Sequence, residues 1–111
     1  MISPQLHDAV LNRDKICLWC MYRKYMKGED IAVRKSAQCH HVIKKKYIKK
    51  RLQSQLDVIY NLVGVCEECH IGRLVDNYAA TCYFVWYLRE RCKYPFDVWY
   101  DNLDMEIKEN F

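Results

Sequence analysis

The fold of this chain is decided by two runs of residues, Cys39-His40-His41-Val42-Ile43 and Asn61-Leu62-Val63-Gly64-Val65-Cys66-Glu67-Glu68-Cys69-His70. The second run ends in a Cys-x-x-Cys pair, and another such pair, Cys17 and Cys20, lies 45 residues upstream of it. Each Cys-x-x-Cys turn places two thiolates on one side of a tight loop, and two turns complete the four-cysteine shell of a structural zinc site. We therefore predict a structural Zn²⁺ held by Cys17, Cys20, Cys66 and Cys69.

Other arrangements of these thiols are open from the sequence. The four cysteines can be unrelated buried thiols or two disulfides. His70 can replace one cysteine ligand, because it directly follows Cys69 and shells of three cysteines and one histidine exist. Cys39 can also replace one of the four cysteines. The start Met-Ile-Ser-Pro lacks the cationic and apolar regions of a signal peptide, which favours zinc over disulfides. Cys82 and Cys92 are expected to be small core residues.

Polar residues beside the cysteines carry a resemblance to a known family. His41-Val42, Asn61-Leu62-Val63 and the Cys-x-x-Cys-His that ends at His70 stand in the order and spacing of the HNH endonucleases, the zinc-bearing branch of the ββα-metal (His-Me finger) nucleases. Nineteen residues separate His41 from Asn61, and eight separate Asn61 from His70. The resemblance covers residues 17 to 72 and implies an α+β fold with a ββα-metal core.

The resemblance also implies catalytic roles. His41 is the expected general base, and Asn61 is expected to orient its ring through a hydrogen bond. His40 and His70 are expected to bind a catalytic divalent cation. Many relatives have Asp or Glu where this chain has His40, and a carboxylate is a harder ligand than an imidazole. The expected cation is Mg²⁺, Mn²⁺ or Ni²⁺, and the two imidazoles should bind Mg²⁺ less well than the softer ions.

Different roles for these residues are also compatible with the sequence. The functions of His40 and His41 can be exchanged, or the two can be an inert surface pair. Asn61 can simply form a turn.

A basic segment follows the proposed base. Six of the eight residues from 44 to 51 are cationic: Lys44, Lys45, Lys46, Lys49, Lys50 and Arg51. Cations that replace counterions on phosphates add affinity for nucleic acid without sequence choice. We predict that this segment binds DNA and that the chain is an HNH DNA endonuclease. The alternatives are a zinc-stabilised nucleic-acid-binding module without cleavage activity, or an RNA-cleaving relative.

Local patterns predict the elements around this core. Ser3 and Pro4 begin a helix over residues 3–13. Strands are expected over 33–43 and near 56–63, and a helix from Glu67 carries His70. Helices over 77–92 and from Pro95 onward follow, so two C-terminal helices are expected. The chain is predicted to be one domain over 1–111, with a core over about 17–75 and a C-terminal helical extension over about 76–109.

Composition narrows the setting. The net charge is +4, the hydrophobic fraction is 51%, and the tail from Asp97 to Glu109 is acidic. No stretch reaches the ~20 apolar residues of a membrane span, so no membrane contact and a reducing cytoplasm are expected. A phage or mobile-element origin is an expectation of the resemblance alone. The sequence does not indicate whether the C-terminal helices bind a protein partner.

Overall fold

A computed structural model describes residues 2–109 and shows a mixed α+β chain with one small sheet. Its α-helices are α1 (Pro4–Arg13), α2 (Leu18–Tyr25), α3 (Glu67–Ile71), α4 (Tyr78–Trp86), α5 (Phe96–Asp101) and α6 (Met105–Glu109). Its strands are β1 (Gln38–His41) and β2 (Leu62–Val65). Two 3₁₀ helices, Lys50–Leu56 and Ile59–Asn61, lie between the strands, and a π-helical turn, Tyr87–Arg91, continues α4.

The sheet is shorter than the sequence predicts. β1 and β2 pair antiparallel, with His40 opposite Val63 and His41 opposite Leu62. The predicted strand over 33–43 is wrong outside 38–41, and the second strand starts at Leu62 instead of near residue 56. The reason is that residues 50–56 and 59–61 form 3₁₀ helices, so only the run from Leu62 to Val65, buried at all four positions, remains extended.

The connection between the strands has its own core. Leu52 and Leu56 of the first 3₁₀ helix are buried, and so are Leu103 and Ile107 near the C-terminal end. This cluster contains Ile43, Ile48, Leu52, Leu56, Leu103 and Ile107. Because this cluster is buried, the lysine-rich connection is packed against the rest of the chain. The packing fixes the position of the lysine side chains relative to β1.

The main core surrounds the cysteines. Phe84, Leu88 and Phe96 from the C-terminal helices pack with Trp19, Val63 and the four cysteines of the two pairs. The predicted single helix after Pro95 is wrong, because the chain forms α5 and α6 separately; the described residues after position 75 thus contain three α-helices. The break between them lets Phe96 reach the main core while Ile107 reaches the second cluster.

Helix α1 is joined to the sheet by a buried charged pair. Ser3 caps α1 as predicted by accepting the Leu6 N–H at 3.1 Å. At the other end, Asp14 pairs with Arg13 at 2.6 Å and accepts the Gly64 N–H of β2 at 2.8 Å. A Cβ at position 64 would lie 2.8 Å from the Asp14 Cβ, so only glycine allows this close approach.

Candidate metal centre and histidine hollow

The two Cys-x-x-Cys pairs meet in space. The sulfur atoms of Cys17, Cys20, Cys66 and Cys69 all lie within 4.8 Å of one another, and all four residues are buried. The Cys20 sulfur lies 3.7 Å from those of Cys66 and Cys69. A tetrahedron with Zn–S bonds of about 2.3 Å has edges of about 3.8 Å, so this donor set fits a Zn²⁺ ion. The predicted four-cysteine cluster is confirmed, and it can hold a metal ion such as zinc.

Each pair begins a helix. The Cys17 sulfur accepts the Cys20 N–H at 3.4 Å at the start of α2, and the Cys66 sulfur accepts the Cys69 N–H at 3.4 Å at the start of α3. At Cys17 this N–H group and the positive end of α2 stabilise the thiolate, the form that ligates metals. A hydrogen bond from the Cys69 thiol is the main cause that lowers the pKa of Cys17 to about 5.

The alternative ligands lie elsewhere. Cys39 points its thiol at the His7 carbonyl, 3.9 Å away on α1. The His70 ring faces His40, with ring centroids 6.1 Å apart. All seven cysteines carry free thiols, so the disulfide alternative is wrong. Within residues 2–109, the four cysteines are the only group of three or more potential ligands with donor atoms this close.

A separate hollow of about 250 Å³ gathers the histidines of the motif. Its lining residues are His40, His41, Lys44, Lys45, Lys46, His70, Arg73 and Asp76. β1 supplies His40 and His41, and α3 supplies His70 from the opposite wall. All three motif imidazoles therefore share one opening with four cationic side chains and one carboxylate.

The rings of His40 and His70 have no hydrogen-bond partner among residues 2–109. His40 is only 5% exposed and packs on Phe84, with ring centroids 5.6 Å apart. Burial, assisted by the nearby His70, lowers the pKa of His40 to about 4. The ring is therefore neutral at pH 7, the state in which imidazole nitrogens can ligate a cation.

His41 has a hydrogen-bond partner, Asp57, that the sequence motif does not reveal. Its Nε2 lies 2.8 Å from the Asp57 Oδ1, and Lys45 Nζ lies 3.0 Å from both oxygens of that carboxylate. Burial opposes ionisation of Asp57, but the hydrogen bonds from His41 and Lys45 outweigh it and lower the pKa of this carboxyl. An ionised carboxylate only accepts hydrogen bonds, so His41 Nε2 carries the proton and Nδ1 keeps a free lone pair. Burial is also the main reason that the pKa of His41 lies below its usual value.

The predicted hydrogen bond from Asn61 to the His41 ring is wrong. Asn61 is fully buried, and its Oδ1 accepts the Ile43 N–H at 2.7 Å. Its Nδ2 donates to the carbonyls of Ile43 and Leu56, each at 3.0 Å. A buried amide must satisfy its polar atoms, and the backbone just after β1 is what lies within reach. Asn61 therefore fixes the chain that leaves His41 and does not touch the ring.

Two carboxylates of the site have weak signals in the sequence. Asp57 is the only acidic residue between His41 and Asn61, which is a recognisable feature in so basic a segment. Asp76 lies in the hollow and pairs with Lys44 Nζ at 2.7 Å and Arg73 Nε at 3.0 Å. The Asp57–His41 and Asp76–Lys44 pairings do not follow from spacing, because both depend on the folded path of the connection.

The basic segment divides into two parts. Lys44, Lys45 and Lys46 line the histidine hollow. Lys49 instead pairs with Glu106 of α6 at 3.1 Å, and Lys50 and Arg51 are exposed at the start of the first 3₁₀ helix. Of the six cations predicted to bind nucleic acid, only those at positions 44–46 line the histidine hollow.

Comparisons with protein family models, with curated proteins and with solved structures found no match. Fold and site together define an α+β chain with a four-cysteine cluster that can hold a metal ion and a hollow lined by three histidines. Among the helices within residues 2–109, none has the length and hydropathy that a membrane crossing requires.

Proposed function

We propose that this chain is a metal-dependent endonuclease of the HNH type, which hydrolyses phosphodiester bonds in DNA by nicking or by double-strand cleavage. One observation carries the proposal: His40, His41 and His70 line a single hollow whose rim is cationic. Phosphodiester hydrolysis needs a base for water, a cation for the charge on the phosphate, and groups that hold both in line. The hollow has residues for each of these tasks.

His41 is the general base in this proposal. Its Nδ1 lone pair takes a proton from the attacking water, while Nε2 stays bound to Asp57. The carboxylate then stabilises the imidazolium that forms. Asp57 is therefore a positioning residue for His41, and Asn61 keeps the backbone beyond His41 in place.

His40 and His70 are the residues that would hold the catalytic cation. When bound, a divalent cation supplies charge stabilisation at the scissile phosphate and the leaving oxygen. Two imidazoles without hydrogen-bond partners among residues 2–109 are suitable donors, and they favour Mn²⁺ or Ni²⁺ over Mg²⁺. Asp76 is the one carboxylate among the described residues that line the hollow.

The order of elements supports the same proposal. β1 carries His40 and His41, β2 pairs with it antiparallel, and α3 carries His70 directly after the second cysteine pair. This is the strand, strand, helix order that the resemblance implies. The proposed zinc ties the starts of α2 and α3 together and so fixes the wall that bears His70.

A binding module that does not cleave is the second candidate. It is favoured by His40 in place of a carboxylate. It is also favoured because, within residues 2–109, the four cysteines are the only cluster of three or more potential metal ligands, and His40, His70 and Asp76 do not form a second one. On this alternative the same basic rim holds nucleic acid, and the zinc only stabilises the domain. An RNA-cleaving enzyme would use the same residues as the DNA enzyme.

Nicking of supercoiled plasmid by the zinc-loaded protein tests the proposal, with Mn²⁺, Ni²⁺ and Mg²⁺ supplied in turn. We expect cleavage with Mn²⁺ or Ni²⁺, and a loss of about 10²–10⁴-fold in the His41→Ala variant. His7→Ala is the matched control, because His7 lies on α1 outside the hollow. No cleavage by the unmodified protein in any of the three metals selects the binding module, and faster turnover of competing RNA selects the RNA enzyme.

A further inference from the structure

A second cavity adjoins the histidine hollow. It measures about 450 Å³ and is lined by Val42, Lys44, Lys46, Tyr47, Ile48, Arg73, Tyr78 and Thr81. Lys44, Lys46 and Arg73 line both cavities, so the two spaces meet at a boundary made of cations. A group seated in the second cavity therefore stands next to the proposed site of hydrolysis.

Two tyrosine rings flank this cavity and are unusually exposed. Tyr47 is 77% exposed and Tyr78 is 84% exposed, the highest values among the exposed large hydrophobic side chains of residues 2–109. Tyr78 opens α4, whose start is fixed because Asn77 Oδ1 accepts the Ala80 N–H at 2.8 Å. Exposed aromatic rings gathered at one cavity are typical of a binding surface rather than of random surface composition.

The remaining walls are suited to a flat ring with an attached anion. Val42 and Ile48 are buried and provide an apolar floor. The Thr81 hydroxyl donates to the Asn77 carbonyl at 3.1 Å, so its oxygen lone pairs can accept a hydrogen bond from an amino group. Lys46 forms no ion pair within residues 2–109, and its ammonium lies 5.3 Å from the Tyr47 ring centroid.

We propose that this cavity takes one unpaired nucleotide of the strand that is cut, an inference that rests on the proposed nuclease function. The base stacks on Tyr47 and Tyr78, and its phosphate lies against Lys46 and Arg73 at the boundary with the histidine hollow. Bases stack on aromatic side chains when they are unpaired, whereas duplex stacking covers their faces. The substrate class is therefore nucleic acid with an unpaired nucleotide beside the cleaved bond: a single strand, a bulge or a frayed end.

A binding measurement tests the proposal without depending on cleavage. The His41→Ala protein is titrated against three labelled DNA oligonucleotides, a single strand, a duplex with a one-nucleotide bulge and a perfect duplex, and fluorescence anisotropy is recorded. We expect Tyr47→Ala and Tyr78→Ala each to weaken binding to the single strand and the bulge about tenfold and to leave the perfect duplex nearly unchanged.

Matched variants separate stacking from general surface effects. Tyr78→Phe keeps the ring and should retain the affinity for the bulged duplex. Tyr25→Ala removes a tyrosine that is 67% exposed on α2, outside the cavity, and should change nothing. Equal losses on all three oligonucleotides, or no loss in either tyrosine variant, overturn the proposal. Absence of any binding to nucleic acid also overturns it and directs attention to a protein partner.

The two proposals fail in distinguishable ways. Plasmid cleavage by the unmodified protein, together with no tyrosine-dependent preference for unpaired bases, removes the nucleotide site and leaves the nuclease. A tyrosine-dependent preference without cleavage in any metal removes the nuclease and leaves the nucleotide site as part of a binding module.

Discussion

The Asp57 carboxylate holds the ring of His41, with 2.8 Å between Oδ1 and Nε2, and so connects the proposed base to the basic segment that follows it. Lys45 donates to the same carboxylate, so Asp57 binds both the His41 ring and the Lys45 ammonium. The side of the ring away from Asp57 is left for water. In the proposed mechanism, this contact makes Asp57 the residue that orients His41 and sets its basicity.

Asp57→Asn should therefore change the pH dependence of cleavage. The Asp57 charge raises the pKa of His41 against the lowering effect of burial, so its removal lowers that pKa further below 6.5. A base works in its deprotonated form, and the acidic limb of kcat/KM against pH should move to lower pH. The plateau rate should fall by roughly tenfold or more, because a weaker and less well oriented base transfers the proton less efficiently.

The pH–rate profile is measured alongside that of Asp101→Asn, an exposed aspartate on α5. The control should leave both the limb and the plateau in place. An Asp57→Asn enzyme with an unmoved acidic limb would show that the carboxylate has only a structural role.

His70→Ala should abolish cleavage while leaving the zinc in place. The His70 ring faces His40 in the hollow and is not among the four clustered ligands. We expect one zinc per chain by elemental analysis, and loss of the second, weaker Mn²⁺ site by electron paramagnetic resonance. His7→Ala should retain both metals. Zinc lost together with His70 would instead assign this histidine to the structural centre.

Cys66→Ser should unfold the chain or lower its Tm severely. A Zn²⁺ ion held by the four clustered cysteines would join the start of α3 to the start of α2, and structural zinc contributes folding free energy directly. Cys82→Ser, at an exposed thiol outside the cluster, is the control and should melt like the unmodified protein. Zinc content and thermal unfolding are measured on the same samples; equal melting of both variants would contradict a structural role for the metal.

Asp14→Ala should destabilise the fold, because Asp14 connects the end of α1 to β2. The substitution leaves Arg13 without its carboxylate and the Gly64 N–H without an acceptor, at a position whose side chain has no exposed surface. Removing one partner of a buried pair costs about 3–5 kcal/mol, which lowers the Tm by more than about 10 °C. Asp8→Ala, at a mostly exposed aspartate of α1, should shift the Tm by less than about 2 °C. Thermal unfolding followed by circular dichroism separates these outcomes.

Lys46→Gln should weaken binding to nucleic acid of any sequence. Lys46 lines both cavities, and loss of one phosphate contact should reduce the slope of log K against log salt by about one. Binding is measured across a salt series with Lys24→Gln, an exposed lysine of α2, as the control. A slope unchanged from that of the unmodified protein would place Lys46 away from the phosphate path.

The spacing of neighbouring residues in the sequence was sufficient to predict the cysteine cluster and the starts of two helices. The Cys-x-x-Cys pairs predict the metal centre because two thiols three residues apart in a turn must point the same way. Ser3 predicts the start of α1, and the second cysteine pair predicts a helix from Glu67. These features need no knowledge of distant contacts, so the sequence specifies them directly.

Only the tertiary structure decided which distant groups meet. Asp57 contacts His41 because the connection between the strands folds into 3₁₀ helices over its own core, which periodicity did not predict. The same packing turns Asn61 toward the backbone of Ile43 and splits the final helix into α5 and α6. In each case burial of apolar residues far apart in sequence selects the geometry, and short-range patterns contain no information about such pairings.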